Sequence, residues 1–433
     1  MAVIFEFGGY RFDDDRGLEG PSGRIPLRRG DATVLRLLLE ADGRAVSKDQ
    51  IAAAAWGGRD VSDDSIFQAM RRLRRALPCG RGGEIFQTVQ GVGFRMGVRV
   101  RGMRSAESSA MALATSASVT ANASLVAARE LSARRTPGDL AAAIDAARRA
   151  TEIDPAFVSA WCALAELTAV RASLGLELPA RAGDAAIQAA EKALHLDPDC
   201  SPALAMRGWV KSVIRLDVAS GLADFERSLR ITDGYWAARA HHAWALVAAR
   251  QLDRAVAEMQ AASELNPWGV WHAGFVGLFL FFARRFDEAL ADVRNVARRH
   301  PGFDTAQMRL SIVASGLGLH DEAIAAGRIA MERAPDTPIM HTALASALAR
   351  AGHRDEALAL VRQIEASPLP LPGAWLASAW LALGHRERAL ELLQQARLAG
   401  SPHLVFALVD PRLDALRGDR VFEQLRPGEG WSG

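Results

Sequence analysis

Between residues 62 and 77 the apolar side chains Ile66, Met70, Leu73 and Leu77 recur at spacings of four, three and four, which predicts one buried stripe of an α-helix. Ser62 predicts its N-cap, Asp63 and Asp64 suit the positive end of the helix dipole, and Pro78 ends it. Off the stripe, Gln68, Arg71, Arg72 and Arg75 share the opposite face, with Arg74 at its flank. Residues 85–89 then alternate apolar and polar as a half-buried strand, Gln90-Gly91-Val92-Gly93 predicts a tight turn, and residues 94–100 predict the returning strand. Upstream, residues 3–7 predict a strand and residues 32–40 and 47–56 two helices, the second opened by a Ser47/Gln50 capping box. Helix, turn, helix and hairpin in this order predict a helix-turn-helix variant with a β-wing, in which Arg and Gln can pair with base edges or phosphates.

The second pattern is a period. The alanines of Asp253-Arg254-Ala255, Asp287-Glu288-Ala289, Asp321-Glu322-Ala323 and Asp355-Glu356-Ala357 step by 34 residues. Pro267, Pro301 and Pro335 keep that step, Pro368 and Pro402 follow at 33 and 34, and Asp154-Pro155 and Asp197-Pro198 end similar helices upstream. A fixed period of this length predicts stacked helical hairpins, each covering the apolar face its neighbour leaves open.

The residues of the first module resemble the OmpR/PhoB-type winged-helix effector domain of bacterial transcription regulators over about residues 3–98. Leu27, Val46-Ser47-Lys48, Trp56, Leu73-Arg74-Arg75-Ala76-Leu77 and, most specifically, Thr88-Val89-Gln90-Gly91-Val92-Gly93-Phe94-Arg95 carry the likeness. The wing departs from the family at two positions, Gln90 for the usual arginine and Phe94 for the usual tyrosine. The resemblance implies that Gln68, Arg71 and Arg72 enter the major groove of promoter DNA. Arg75, Thr88 and Arg95 then hold phosphates, and Gln90 reaches the flanking minor groove. It also makes the 57–61 loop the place where RNA polymerase is touched.

The 34-residue period, with Gly277, Ala289 and Pro301 at matching positions of one unit, resembles the tetratricopeptide repeat (TPR). About seven units are expected between Ser124 and Pro402, then a helical cap ending near Leu425. The closing Asp410-Pro411-Arg412-Leu413-Asp414-Ala415-Leu416-Arg417, followed by Phe422, resembles the terminal segment of regulators that join such repeats to a winged helix, the HilA-like type. The resemblance implies a protein or peptide ligand in the groove of the array, or a homodimer over two half-sites.

Charge separates the modules. Residues 1–101 carry 17 Lys and Arg against 13 Asp and Glu, a net +4, while the remainder carries 35 against 37. A chain of net +2 therefore hides a basic module on a mildly acidic body. Residues 102–122 are Ala/Ser-rich with almost no large apolar residue and predict a linker between a 1–101 winged-helix domain and a 123–426 repeat array. The expected fold is thus multidomain: an N-terminal α+β winged helix-turn-helix followed by an all-α TPR superhelix.

Chemistry is not expected. The chain has no phosphate-binding loop ending in Lys-Ser or Lys-Thr, no His-Glu-x-x-His, no Gly-x-Ser-x-Gly and no Cys-x-x-Cys, so neither an enzyme nor a cofactor or metal is predicted. His241 and His242 are adjacent and point to different helix faces. Phe275, Phe279, Phe281, Phe282 and Phe286 read as core between hairpins rather than a ligand pocket. Three widely spaced cysteines, Cys79, Cys162 and Cys200, suit a reducing compartment without a disulfide framework. No apolar run reaches the length of a membrane span and no signal peptide is read, so a cytoplasmic regulator is expected. The competing expectation is a TPR scaffold whose winged helix makes protein contacts.

Overall fold

A computed structural model describes residues 3–13, 17–20, 23–41, 43–56, 63–78, 84–89, 92–98, 100–104, 116–132, 136–266, 274–300, 303–370 and 372–426. The chain divides into two compact units, Met1–Ser109 and Ala110–Gly433.

Among its described residues the first unit has two antiparallel sheets and three helices. Strands β1 (Val3–Phe7), β2 (Tyr10–Asp13), β3 (Gly17–Gly20) and β4 (Gly23–Ile25) form a meander, joined on its other edge by β8 (Val100–Arg104), in the order β4-β3-β2-β1-β8. The helices are α1 (Arg29–Glu40), α2 (Lys48–Trp56) and α3 (Asp63–Ala76). A second sheet places β7 (Gly93–Met96) between β5 (Val46–Ser47) and β6 (Phe86–Val89). Phe5, Phe7, Tyr10 and Phe12 of the first sheet share one core with Val34, Leu35 and Leu38 of α1, Ile66, Met70 and Leu73 of α3, and Phe86, Phe94 and Met96 of the wing.

Local chemistry explains the joints. Ser47 and Gln50 make the reciprocal capping box, the Ser47 amide donating to Gln50 Oε1 at 2.9 Å and the Gln50 amide to Ser47 Oγ at 3.1 Å. Gly93 is required because a Cβ there would overlap the Val46 carbonyl of the neighbouring strand. One expectation is corrected. The stretch 94–100 is not one returning strand: after Met96 the Gly97 amide turns back to the Ile85 carbonyl at 2.8 Å, and Val100 starts a separate strand beside β1. That strand runs to Arg104, and a helix covers Val119–Ser132, so both reach into the 102–122 stretch expected as a linker. Strands β2 to β4 had no counterpart in the sequence reading, because each is only three or four residues long, too short for a period of two to stand out.

The second unit consists of helical hairpins. Their helices are Val119–Ser132 with Pro137–Ile153, Val158–Ser173 with Pro179–Leu196, and Ser201–Trp209 with Val218–Ile231, the last widening through a π-helical turn at Val210–Ile214. Trp236–Ala248 with Leu252–Leu265, Phe275–Phe282 with Phe286–Arg299, and Asp304–Gly316 with His320–Arg333 follow, then Pro338–Arg350 with Arg354–Glu365 and Gly373–Ala382 with Arg386–Leu398. Among the described residues eight hairpins stand where about seven units were expected; the first begins at Val119, ahead of any visible repeat signal.

The period has a packing cause. Ala255, Ala289, Ala323, Ala357 and Ala389 are fully buried, where a larger side chain would separate the crossing helices. The turn inside successive hairpins needs a left-handed residue, supplied by Arg250 (φ 58°), Arg284 (φ 65°), Gly318, Gly352 and Gly384. Ion pairs repeat too: Arg294 grips Glu322 at 2.8 and 2.6 Å, and one period later Arg328 meets Glu356 at 3.0 Å. Phe275, Phe279, Phe281 and Phe282 are buried in the core, and His241 and His242 do diverge, the first facing Trp209 and the second Phe225.

The C-terminal segment folds back over the first helices of the fourth and fifth hairpins. The Phe406 ring lies 4.5 Å from Trp244, 5.7 Å from Phe279 and 5.5 Å from Phe282. Arg284 holds Asp414 with two bonds of 2.6 and 2.7 Å, across 130 residues of sequence. In this stretch the first helices are therefore covered by the chain's own end. Among the described residues no helix is long and apolar enough to cross a membrane, and no group of three or more His, Cys, Asp or Glu is arranged to hold a metal ion.

Candidate nucleic-acid interface

Helix α3 is fixed on three sides, which decides what its fourth side can do. At about 100° per residue, Ile66, Met70, Leu73 and Leu77 face the core and are buried. On one flank Arg72 turns to α1: its Nε donates to Asp31 Oδ2 at 2.8 Å and its Nη2 to Asp31 Oδ1 at 2.7 Å. The Asp31 side chain is only 5% exposed, and its hydrogen bond keeps the Arg72 guanidinium even more firmly protonated than usual. On the other flank Arg74 reaches the wing, donating to Thr88 Oγ1 at 3.0 Å and more weakly to the Phe86 carbonyl at 3.4 Å, with its guanidinium 6.0 Å from the Phe94 ring centre.

Gln68, Arg71 and Arg75 remain on the fourth side, all exposed, and among the described residues none pairs with them. Two cations and an amide on adjacent turns make a positive, hydrogen-bonding ridge whose spacing suits bases and phosphates of a duplex groove. Its direction is set by the two arginine tethers.

The residues expected in the site therefore have different fates. Arg72, expected with the groove-facing set, is engaged instead by the buried Asp31 carboxylate through both prongs of its fork. Thr88 is exposed on the wing, and while its oxygen accepts from Arg74 its hydroxyl proton stays available to a phosphate. Arg95 is exposed and gives its Nε to Gln87 Oε1 at 3.0 Å, leaving the outer nitrogens of its fork outward. Gln90 and the 57–61 loop lie outside the described residues, as does Cys79.

Two neighbours were missed. Phe67 is 43% exposed beside the ridge, edge-on to Phe94 at 5.8 Å, and the Lys48 ammonium stands 5.0 Å over its ring. Lys48, next to the N-terminal cap of α2, thus brings a further positive charge to the ridge. Its place in the Val46-Ser47-Lys48 entry was the available signal, whereas the Asp31–Arg72 contact spans 41 residues and leaves no local trace.

Comparison with known proteins agrees with this geometry. Residues 22–96 match the family described as "Transcriptional regulatory protein, C terminal". The chain is 29% identical over 91 residues to the transcriptional regulator HilA of Salmonella typhi, and to that of Salmonella typhimurium at the same level. The matched stretch is 21% of this chain and spans 16% of the length of those relatives. Among solved structures, a tetratricopeptide repeat protein from Parabacteroides merdae is similar over 69% of this chain and all of its own, at 13% identity and a TM-score of 0.38. Yeast Tom70 is similar over 91% of this chain and 82% of its own, at 14% identity and a TM-score of 0.44. Residues 22–96 of the N-terminal unit thus carry a domain similar to the C-terminal domain of transcriptional regulatory proteins, and the unit that follows it is an array of helical hairpins.

Proposed function

We propose that this protein regulates transcription by sequence-specific binding to double-stranded promoter DNA, with Gln68 and Arg71 reading bases from the major groove and Arg75, Thr88 and Arg95 holding phosphates. The observation that carries the reading is the division of labour on α3: Arg72 and Arg74 are spent on orienting the helix, and what they orient is an exposed Gln/Arg/Arg ridge. Basic charge concentrated in this unit supports the same partner. The helical array binds a protein partner or a second copy of the chain, so that a signal received there alters promoter occupancy; a regulator of this kind works in the bacterial cytoplasm. Gln90 at the wing tip and the 57–61 loop, the latter toward RNA polymerase, complete the proposed contact set.

The test is genome-wide immunoprecipitation of the tagged protein beside a variant carrying Arg71→Ala and Arg75→Ala. Discrete promoter peaks lost in a folded variant support the reading. Peaks that persist unchanged overturn the residue assignment, and an absence of peaks overturns DNA reading itself in favour of a scaffold.

A further inference from the structure

Away from the DNA-binding unit, two cysteines that lie 38 residues apart in sequence meet in the array. Cys162, in the helix Val158–Ser173, and Cys200, which caps the helix Ser201–Trp209 of the next hairpin, have sulfurs 3.3 Å apart with one thiol donating to the other. Both are free thiols, Cys162 partly exposed and Cys200 buried. A covalent S–S bond is about 2.05 Å long, so an approach of about 1.3 Å would bring the two sulfurs to bonding distance.

We propose that Cys162 and Cys200 are a peroxide-responsive dithiol that closes to a disulfide linking two successive hairpins. The polarity of the pair supports this. The hydrogen bond from Cys162, helped by the Ala203 amide, holds the Cys200 thiol below its ordinary range, and that same bond, with burial, pushes the Cys162 thiol up. A thiolate seated at a helix N-terminus is the reactive form of cysteine. Cys200 is therefore the attacking sulfur and Cys162, which has the exposed flank, the resolving one.

The step balances. The Cys200 thiolate attacks one oxygen of hydrogen peroxide, the O–O bond breaks, and the departing hydroxide takes the Cys162 proton to leave as water. The Cys162 thiolate then attacks the Cys200 sulfenic sulfur, the S–O bond breaks, and the departing hydroxide takes from solvent the proton that Cys200 gave up on ionising, leaving as a second water. Two thiols are oxidised to one disulfide and one peroxide is reduced to two waters. In a reducing compartment such a bond is transient, as a sensor requires.

The experiment uses the full-length chain with Cys79→Ser, treated with hydrogen peroxide, quenched with iodoacetamide and mapped by mass spectrometry. A peptide joining Cys162 to Cys200, lighter by two hydrogens, reversed by dithiothreitol, and formed about tenfold faster in the native chain than in urea, is the expected result. With Cys162→Ser added, which keeps a hydroxyl donor beside Cys200, dimedone should label Cys200. Thiols that stay alkylatable at peroxide levels that oxidise the unfolded chain, or links only between molecules, would overturn the proposal. Neither readout depends on DNA.

Discussion

Arg72 reaches from the recognition helix to Asp31, in the first turn of α1, and holds it with both prongs of its guanidinium. The pair couples the orientation of the exposed Gln68/Arg71/Arg75 ridge, proposed to face DNA, to the helix behind it, while Arg71, one position away from Arg72 in sequence, stays exposed.

Asp31→Ala should lower the stability of the N-terminal unit by about 1–3 kcal/mol, the range for losing a charge-assisted hydrogen-bonded partner, reduced because Arg72 is 37% exposed. Arg71→Ala should stay within about 0.5 kcal/mol of the parent, while weakening DNA binding about tenfold or more. Urea unfolding and fluorescence anisotropy on the same two variants separate these outcomes. A stable Asp31 variant, or an unstable Arg71 variant, would reverse the division of labour.

Arg75 is assigned to a phosphate, so Arg75→Ala should weaken binding evenly across sequences and reduce the steepness of log K against log[salt] by about 1. Titrations of one promoter fragment between low and physiological salt measure this slope. A change in sequence preference with an unchanged slope would move Arg75 to a base edge.

Arg250 holds a left-handed conformation that glycine supplies three times elsewhere in the series. Arg250→Gly should therefore stabilise the array by up to about 1 kcal/mol, the strain relieved exceeding the entropy glycine adds to the unfolded chain. It also removes a like charge that acts on Arg426. Thermal unfolding decides; a lower midpoint would mean that the Arg250 side chain contributes packing worth more than the strain.

Burial holds two histidines of the array neutral, His241 with a pKa of about 4 and His403 of about 3, both below the ordinary 6.5. The unfolded chain then binds more protons than the folded one between pH 6.5 and these values. Stability is complete above about pH 6.5 and falls as pH drops through that window, by about 1.4 kcal/mol per pH unit for each fully shifted group. His403→Gln should flatten the decline measured by urea unfolding from pH 7 to pH 4. An unchanged slope would place the protons elsewhere.

Much of this architecture was legible in the sequence because it is periodic. Ile66, Met70, Leu73 and Leu77 report a helical stripe, and Ala255, Ala289, Ala323 and Ala357 report a crossing that tolerates only a small side chain; each pattern is enforced by local geometry and so is written locally. The exposed ridge of Gln68, Arg71 and Arg75 was readable by the same rotation about the helix axis. Arg72 was not, because phase says which way a side chain leaves its helix and nothing about an aspartate 41 residues earlier. The Cys162–Cys200 meeting and the packing of Phe406 on Trp244 were hidden for the same reason: both join segments whose proximity exists only once the hairpins are stacked.

A chain of stacked hairpins in which each touches only its neighbours behaves as a linear series, free to melt from either end one unit at a time. The return of Phe406 to Trp244 and Phe282, and of Asp414 to Arg284, adds a bond between units far apart in that series. Fraying of the last hairpins then exposes aromatic surface in the fourth and fifth, so a loss at the end is felt in the middle. Such an array should open more cooperatively than one whose hairpins touch only their neighbours.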